Sequence, residues 1–198
     1  MAAPADVLSF WFGDLSSGAV TPEVAKRWFE KDPAFDEAAR AAFEPDAHAA
    51  MQGQRDEWAS SPRGTLALVI LLDQLTRNIY RDTPKAFAGD ARALALSREA
   101  VARGDDRALS PVERIFLYMP HMHSEDLEVQ ERSVELFEAL ARELEGPLRE
   151  MADSSADFAR RHRDIIARFH RFPHRNAILG RPSTDEELAF LEQPGSSF

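Results

Sequence analysis

One segment of the chain, residues 160–176, combines six arginines and three histidines with a single aspartate. This basic tract has a formal charge of +5 in a chain whose net charge is −10, so the rest of the chain carries −15. Guanidinium groups are planar donors that bind carboxylate or phosphate through paired hydrogen bonds. Arg171, Arg175 and Asn176, in the sequence RFPHRN, are therefore candidate ligands for an anion. Internal ion pairing, and stabilisation of a helix C-terminus by cations, would explain the same charges, so both interpretations stay open.

Three further side chains could transfer protons beside such an anion. The spacing of His162 from its apolar neighbours predicts that it lies on the buried face of a helix that begins near Ser154. His123 and Glu125 follow a proline that is expected to end one helix, and they flank Ser124, which is expected to cap the next. A buried imidazole is more often a hydrogen-bonded core group, but its charge changes near neutral pH. His123, Glu125 and His162 are therefore candidate catalytic residues.

The spacing His-x-His at His121 and His123, with Glu125 nearby, uses residue types that bind metals. The chain has no HExxH motif, no glutamate three residues before a histidine, and no cysteine. It also has no GxGxxG or GxxxxGK[ST] loop of the kind that holds nucleotide phosphates. We therefore predict neither a metal site nor a cofactor.

A second polar stripe runs through the sequence LVILLDQLTRNIYR, where Asp73, Arg77 and Arg81 recur at intervals of four and Asn78 lies beside them. Because a buried arginine needs an anionic partner, the stripe is typical of a structural salt bridge that holds a core helix. In the alternative interpretation Arg77, Asn78 and Arg81 point into a cleft shared with the basic tract. They are then further candidate ligands for the anion.

Helices are the elements expected to position these residues. Capping residues directly precede proline at Thr21, Asp32, Ser61, Thr83 and Ser110, and each pair predicts a helix start. Ser110 with Glu113, and Ser183 with Glu186, fit the spacing of a capping box. No segment alternates like a strand, so we predict an all-α fold of roughly nine to eleven helices. They should form one α–α superhelix or irregular bundle over residues 1–193, followed by a loose tail, residues 194–198.

Composition excludes several classes of protein. The longest uninterrupted apolar run, residues 66–72, is too short for a membrane helix, which needs about 18 residues. The first ten residues lack the basic and apolar regions of a signal peptide, and without cysteine there is no disulfide. We therefore expect a cytoplasmic protein without a membrane partner. The acidic balance makes nucleic acid an unfavourable partner, because phosphate backbones require a dominant basic face.

Several segments, taken in order along the chain, resemble one known family. They are FWFG, DQLTRNIYR, FLYMPHMHSED, HRDIIARFHRFPHRN and LGRPST with the two glutamates that follow it. The chain is similar to the domain of unknown function 924 family, which is assigned to the tetratricopeptide-like α-helical superfamily. The resemblance implies an all-α superhelical fold and no established activity. The candidates that match its pattern are Arg77, Asn78, Arg81, His123, Glu125, His162, Arg171, Arg175 and Asn176. The chain departs from the pattern at Leu75-Thr76, His121 and His170, which weakens both histidines as candidates.

Two functions follow from these observations. In the first, the arginines bind the carboxylate or phosphate of a small molecule, and His123 or His162 transfers a proton against Glu125. In the second, the chain is a helical-repeat module that binds a protein partner and has no catalytic activity. Trp28, Trp58 and Phe35 would serve such a partner only if they were exposed, and their helical spacing favours the core instead. The oligomeric state does not follow from the sequence.

Overall fold

The computed structural model describes residues 1–15 and 20–196, and in this part of the chain every regular element is helical. Nine α-helices confirm the predicted all-α class and the expected number. In chain order they are α1 (Pro4–Phe12), α2 (Pro22–Phe29), α3 (Pro33–Met51), α4 (Pro62–Val69, continued through Ile70–Leu75 to Thr76–Ile79), α5 (Asp90–Arg103), α6 (Pro111–Met122), α7 (Leu127–Arg142), α8 (Gly146–Phe169) and α9 (Asp185–Leu191). Short 3₁₀ turns cover Asp56–Ser60, Pro84–Phe87, Asp105–Ala108 and Pro173–Arg175.

The proline-preceding caps predict helix starts well. Thr21, Asp32, Ser61 and Ser110 cap α2, α3, α4 and α6, and each side chain accepts a backbone N–H from the first turn. Thr83 is the exception, because it precedes a 3₁₀ turn of four residues instead of an α-helix. Proline fixes the start of a turn but carries no information about how far the helix propagates.

Helix α4 is the central element of the fold. Every side chain from Leu66 to Asp73 is fully buried, so this part of the helix is packed on all of its sides. Its middle turn, Ile70–Leu75, has π-helical hydrogen bonding, while the flanking dihedrals remain helical. Thr76 Oγ1 donates to the carbonyl of Leu72 at 2.7 Å. Such wide turns are common at functional sites because they displace one side chain from the regular helical register. Here that turn contains Asp73.

Two boundaries around the candidate histidines differ from the prediction. Helix α6 continues past Pro120 to Met122, because Pro120 and its two successors are buried and packing outweighs the lost N–H. Asp126 caps α7, accepting from the backbone N–H groups of Glu128 at 2.9 Å and Val129 at 3.3 Å. Ser124 therefore lies outside the helix. Glu125, which does not belong to its first turn, can reach another element.

The predicted capping box at the start of α9 is displaced by one residue. Thr184, not Ser183, accepts the N–H of Glu187 at 3.2 Å, and the Glu187 carboxylate accepts the N–H of Thr184 at 2.8 Å. Both threonine and serine fit the cap, so spacing alone does not distinguish the two registers.

The aromatic residues considered for a partner surface belong to the core. Phe35 and Trp58 are buried, and Trp28 stacks on Trp11 with ring centroids 6.3 Å apart.

Helix α8 begins at Gly146, eight residues before the predicted start, and buries His162 as predicted.

The last described residue, Ser196, is bonded to helix α9. Ser196, in the predicted tail, is buried and donates from its hydroxyl to the Leu191 carbonyl at 3.0 Å. Residues 197 and 198 of that tail lie outside the described part of the chain. Among the helices of that part, none is both long and apolar enough to cross a bilayer.

Candidate functional site

The centre of the candidate site is a buried pair formed by Asp73 and His123. His123 Nδ1 lies 2.8 Å from Asp73 Oδ1 and 3.0 Å from Asp73 Oδ2, joining the π-helical turn of α4 to the residue that follows α6. The Asp73 side chain is completely buried, whereas 15% of the His123 side chain is exposed. An ionised carboxylate only accepts hydrogen bonds, so His123 Nδ1 carries the proton in this contact.

Asp73 is held in its ionised form by its neighbours. Burial alone would raise the pKa of Asp73, but its interactions with His123 and Arg77 and a hydrogen bond from Gln74 hold that pKa well below its ordinary value. Arg77 Nη1 lies 3.5 Å from Asp73 Oδ1 and also donates to the Asp73 carbonyl. The structure therefore contains a fixed negative charge directly behind the imidazole of His123.

A second carboxylate, Asp90 at the start of α5, forms ion pairs with two arginines, and its contact with Arg77 is shorter than its contact with Arg175. Arg77 grips it in bidentate fashion, Nη1 to Oδ1 at 2.9 Å and Nη2 to Oδ2 at 3.0 Å. Burial would lower the pKa of Arg77, yet Asp73 and Asp90 together raise that pKa. Arg175 reaches Asp90 only through Nη1, at 3.5 Å from Oδ2. The charge of Arg77 is thus neutralised by Asp73 and Asp90, whereas Arg175 has only the longer contact with Asp90.

Arg175 is a buried cation with few acceptors. It is 7% exposed, and its guanidinium contacts the rings of Phe87 and Phe172, whose centroids lie at 4.8 Å and 4.5 Å. Within the described residues its Nε is buried without a hydrogen-bond partner, and its Nη1 lies 3.5 Å from Asp90 Oδ2. Burial, together with the like charge of Arg77, lowers the pKa of Arg175 to about 10. Because the ion pair of Arg175 with Asp90 is long and its Nε has no acceptor among the described residues, this arrangement favours an incoming anion.

The buried His162 and the half-buried His174 both contact the ring of Phe172. His162 Nδ1 lies 2.8 Å from the Phe158 carbonyl, and its ring centroid is 6.3 Å from that of His123. Burial, together with the proximity of His123, Arg175 and His174, lowers the pKa of His162 to about 3. Burial and nearby cations, led by Arg175, lower the pKa of His174 to about 4. Both rings are therefore neutral at pH 7.

Other predicted candidates form contacts within the C-terminal loop and do not belong to the cluster of Arg77, His123, His162, His174 and Arg175. Glu125 accepts from Arg181 at 2.7 Å and 2.9 Å and from the Phe172 N–H at 2.8 Å. Arg171 binds Glu187 in bidentate fashion at 2.6 Å and 2.7 Å. Asn176 donates to Ser183 at 3.0 Å and accepts from Arg181 at 3.0 Å. Glu125 is thus paired to an arginine, and the partner of His123 is Asp73.

Asn78 and Arg81 do not join Arg77 in one cleft. Both bind Asp36 of α3, Asn78 at 2.8 Å and Arg81 at 2.5 Å and 2.7 Å. Helix α4 ends at Ile79, and Asp82 has a positive φ of 60°, so the chain turns away before the next polar residue. The interpretation as a structural salt bridge therefore fits Asn78 and Arg81, whereas Arg77 lies in the cluster.

Most of the basic tract is neutralised on the outside of α8. Arg160 lies 2.5 Å from Asp157, Arg163 lies 2.7 Å from Asp164, and Arg168 lies 2.7 Å from Glu186. Pairs this exposed contribute little to stability, and they explain the tract as a solvated, ion-paired face. Arg175 differs from these three arginines because it is buried and its Nε has no hydrogen-bond acceptor among the described residues.

The histidine pair considered for a metal divides between two sites. His121 is buried 3.3 Å from the Ser97 hydroxyl, whereas His123 faces Asp73 and Glu125 faces Arg181. In the described residues no three metal-binding side chains form a group that could hold an ion. Two surface clefts occur elsewhere, one beside Gly13 and Arg63 and one beside His121 and Arg132, and none of the nine predicted site residues lines them.

Gly89 sets the position of Asp90 and was not singled out from the sequence. A Cβ at this residue would lie 2.2 Å from the carbonyl oxygen of Leu72, so only glycine allows α5 to approach the π-helical turn. We expect Gly89→Ala to lower the free energy of unfolding by about 1–3 kcal/mol, measured by urea denaturation. Ala91→Ser, at an exposed position of the same turn, is the control. Equal midpoints for the two variants would contradict the close approach.

Sequence reasoning missed several members of the cluster. Asp90 and Phe87 lie in a segment without a recognised motif, and the sequence shows His174 and Phe172 only as members of the basic tract. Arg181 occurs in the family segment LGRPST, which was the one signal that could have identified it. The other missed members are brought into the cluster by contacts between residues far apart in the sequence, which no local pattern shows.

Comparison with known proteins gives the family. A model described as a bacterial protein of unknown function, DUF924, matches residues 7–195. A solved structure of ATU0120 from Agrobacterium tumefaciens, a protein of unknown function, is 38% identical to the chain, covers 96% of both chains and superposes with a TM-score of 0.77. No curated protein matches the chain. The chain therefore belongs to the DUF924 family of bacterial proteins of unknown function.

Proposed function

We propose that the protein binds a small anionic molecule, through a carboxylate or phosphate group, at the cluster formed by Arg175, Arg77, His123, His162 and His174. The single observation that carries this proposal is the buried Arg175 guanidinium, whose Nε has no hydrogen-bond partner among the described residues. Buried charges in proteins are normally paired. A ligand that supplied acceptor oxygens would satisfy Arg175 where Asp90 does not.

The surroundings of Arg175 favour an anion over a cation or an apolar molecule. Asp90 is occupied by two hydrogen bonds from Arg77, and Asp73 is occupied by His123. The rings of Phe87 and Phe172 lie 4.8 Å and 4.5 Å from the guanidinium carbon of Arg175, and the hydrogen-bond donors of a guanidinium are at its planar edge. A planar edge of this kind binds carboxylate or phosphate oxygens in the plane of the group.

The test is ligand-dependent thermal stability. We expect inorganic phosphate or succinate at a saturating concentration to raise the Tm of the wild-type protein by several degrees, because a ligand that binds the native state stabilises it. Arg175→Ala should abolish this rise while keeping the fold, seen as an unchanged circular dichroism spectrum. Without ligand the variant should be less stable than the wild type, because truncating this buried side chain leaves a cavity beside Phe87 and Phe172, so the rise in Tm is compared within each protein.

Arg168→Ala is the matched control, since Arg168 belongs to the same tract but is about half exposed and paired with Glu186. It should keep the full ligand-dependent rise in Tm. Two results would reject the proposal: no stabilisation of the wild type by either anion, or stabilisation that Arg175→Ala retains. Stabilisation by phosphate but not succinate would assign the site to phosphate ligands, and the reverse would assign it to carboxylates.

A further inference from the structure

We infer that His123 is a catalytic general base, oriented by the carboxylate of Asp73 and directed at the anion bound beside Arg175. The inference rests on the proposed function and goes beyond it, because it assigns chemistry to a site so far described only by what it binds. Asp73 acts through His123 and is a positioning residue.

The geometry of the pair supports a base more than a structural contact. Both Asp73 oxygens lie within 3.0 Å of His123 Nδ1, which fixes the ring orientation and the tautomer. His123 Nε2 is then the unprotonated nitrogen, and it makes no hydrogen bond to the described residues. With 15% of its side chain exposed, the ring is not sealed in the core as His162 is. A buried carboxylate that orients an imidazole and stabilises its protonated form is the arrangement that proton-transfer sites require.

The position of the ring relates it to the proposed anion. The ring of Phe172 lies 5.5 Å from the ring of His162 and 4.5 Å from the Arg175 guanidinium, so His162 and Arg175 contact the same ring. The rings of His123 and His162 lie 6.3 Å apart. No serine, threonine or cysteine is bonded to His123 in the described residues, so the base would act on water or on an acidic proton of the ligand itself. The reaction class is therefore general-base hydrolysis or proton abstraction on an anionic substrate.

For an ester the step balances as follows. His123 Nε2 accepts a proton from water as the water oxygen forms a bond to the acyl carbon, and the resulting imidazolium is stabilised by Asp73. The tetrahedral intermediate breaks its bond to the alcohol oxygen, which leaves with its electron pair. The imidazolium then releases its proton to the leaving group or to solvent, so that acid, alcohol and neutral His123 remain. No oxidant, reductant or metal is needed.

The experiment uses mono(4-nitrophenyl) succinate, an activated ester whose free carboxylate can bind Arg175, and follows 4-nitrophenolate by absorbance. We expect the wild type to accelerate hydrolysis above buffer, and His123→Gln to lower kcat about 100-fold with little change in KM. Asp73→Asn should lower kcat although His123 is present, whereas Arg175→Ala should raise KM. His170→Gln, at an exposed histidine in the basic tract, should match the wild type.

The outcomes separate this inference from the proposed function. If His123→Gln and the wild type hydrolyse the ester at equal rates while phosphate still raises the Tm, the base assignment is wrong and the anion site stands. If hydrolysis depends on His123 but Arg175→Ala leaves KM unchanged, the base does not act on an anion held by Arg175. His123→Gln keeps a side chain that can donate to Asp73, so the test does not depend on whether Asp73→Asn folds.

Discussion

Replacing Asp73 with alanine is expected to lower the free energy of unfolding by about 3–5 kcal/mol, as when one partner of a buried ion pair is removed. The change leaves His123 Nδ1 without its acceptor and removes one of the two carboxylates beside Arg77. It also opens a cavity in a helix turn that has no exposed side chain. Urea denaturation of both proteins would measure the difference.

The matched control is Asp164→Ala, which removes the partner of Arg163 on the exposed face of α8. That change should alter the free energy of unfolding by less than about 1 kcal/mol, because exposed pairs are screened by water. If both substitutions have the same small effect, Asp73 is not the buried, ionised centre that the structure describes. The Asp73–His123 base would then have no support.

Local chemistry explains why so much of the fold follows from the sequence. A capping side chain and the proline after it act within one turn, so Ser61, Ser110 and Asp32 identify helix starts without any tertiary information. The same local rule fails at Ser124, where a neighbouring aspartate competes for the cap, and at Pro120, where burial carries the helix through a proline. Tertiary packing decides such cases, and a single sequence does not contain it in readable form.

The candidate site shows the same division between residue type and partner. The sequence predicts Arg77, His123, His162 and Arg175 as groups with chemistry, and the structure brings them together. The sequence does not predict that the partner of His123 is Asp73, which lies 50 residues earlier, or that Glu125 is paired with Arg181. Pairing across such separations depends on how helices pack, because helical spacing relates only residues within about two turns.

Acid is expected to destabilise the protein by several kcal/mol between pH 7 and pH 5, through the buried His121 and His162 and the half-buried His174. Burial is the main cause that lowers the pKa of His121 to about 4, of His162 to about 3 and of His174 to about 4, from an ordinary value of 6.5. Below pH 6.5 the unfolded chain therefore binds protons that the native state does not, and stability falls with pH. Each histidine contributes about 1.4 kcal/mol per pH unit in this window, or about 2 kcal/mol by pH 5.

Histidine is the side chain that carries this effect, because aspartate and glutamate in an unfolded chain titrate mainly below about pH 4.5. The measurement is the slope of unfolding free energy against pH between 6.5 and 5, from urea denaturation at each pH. His162→Gln should lose about one third of the wild-type slope, since glutamine cannot take up the proton. His48→Gln, at an exposed position, should keep the wild-type slope. A slope that His162→Gln leaves unchanged would mean that His162 is protonated in the native state, which its burial beside Arg175 and His174 opposes.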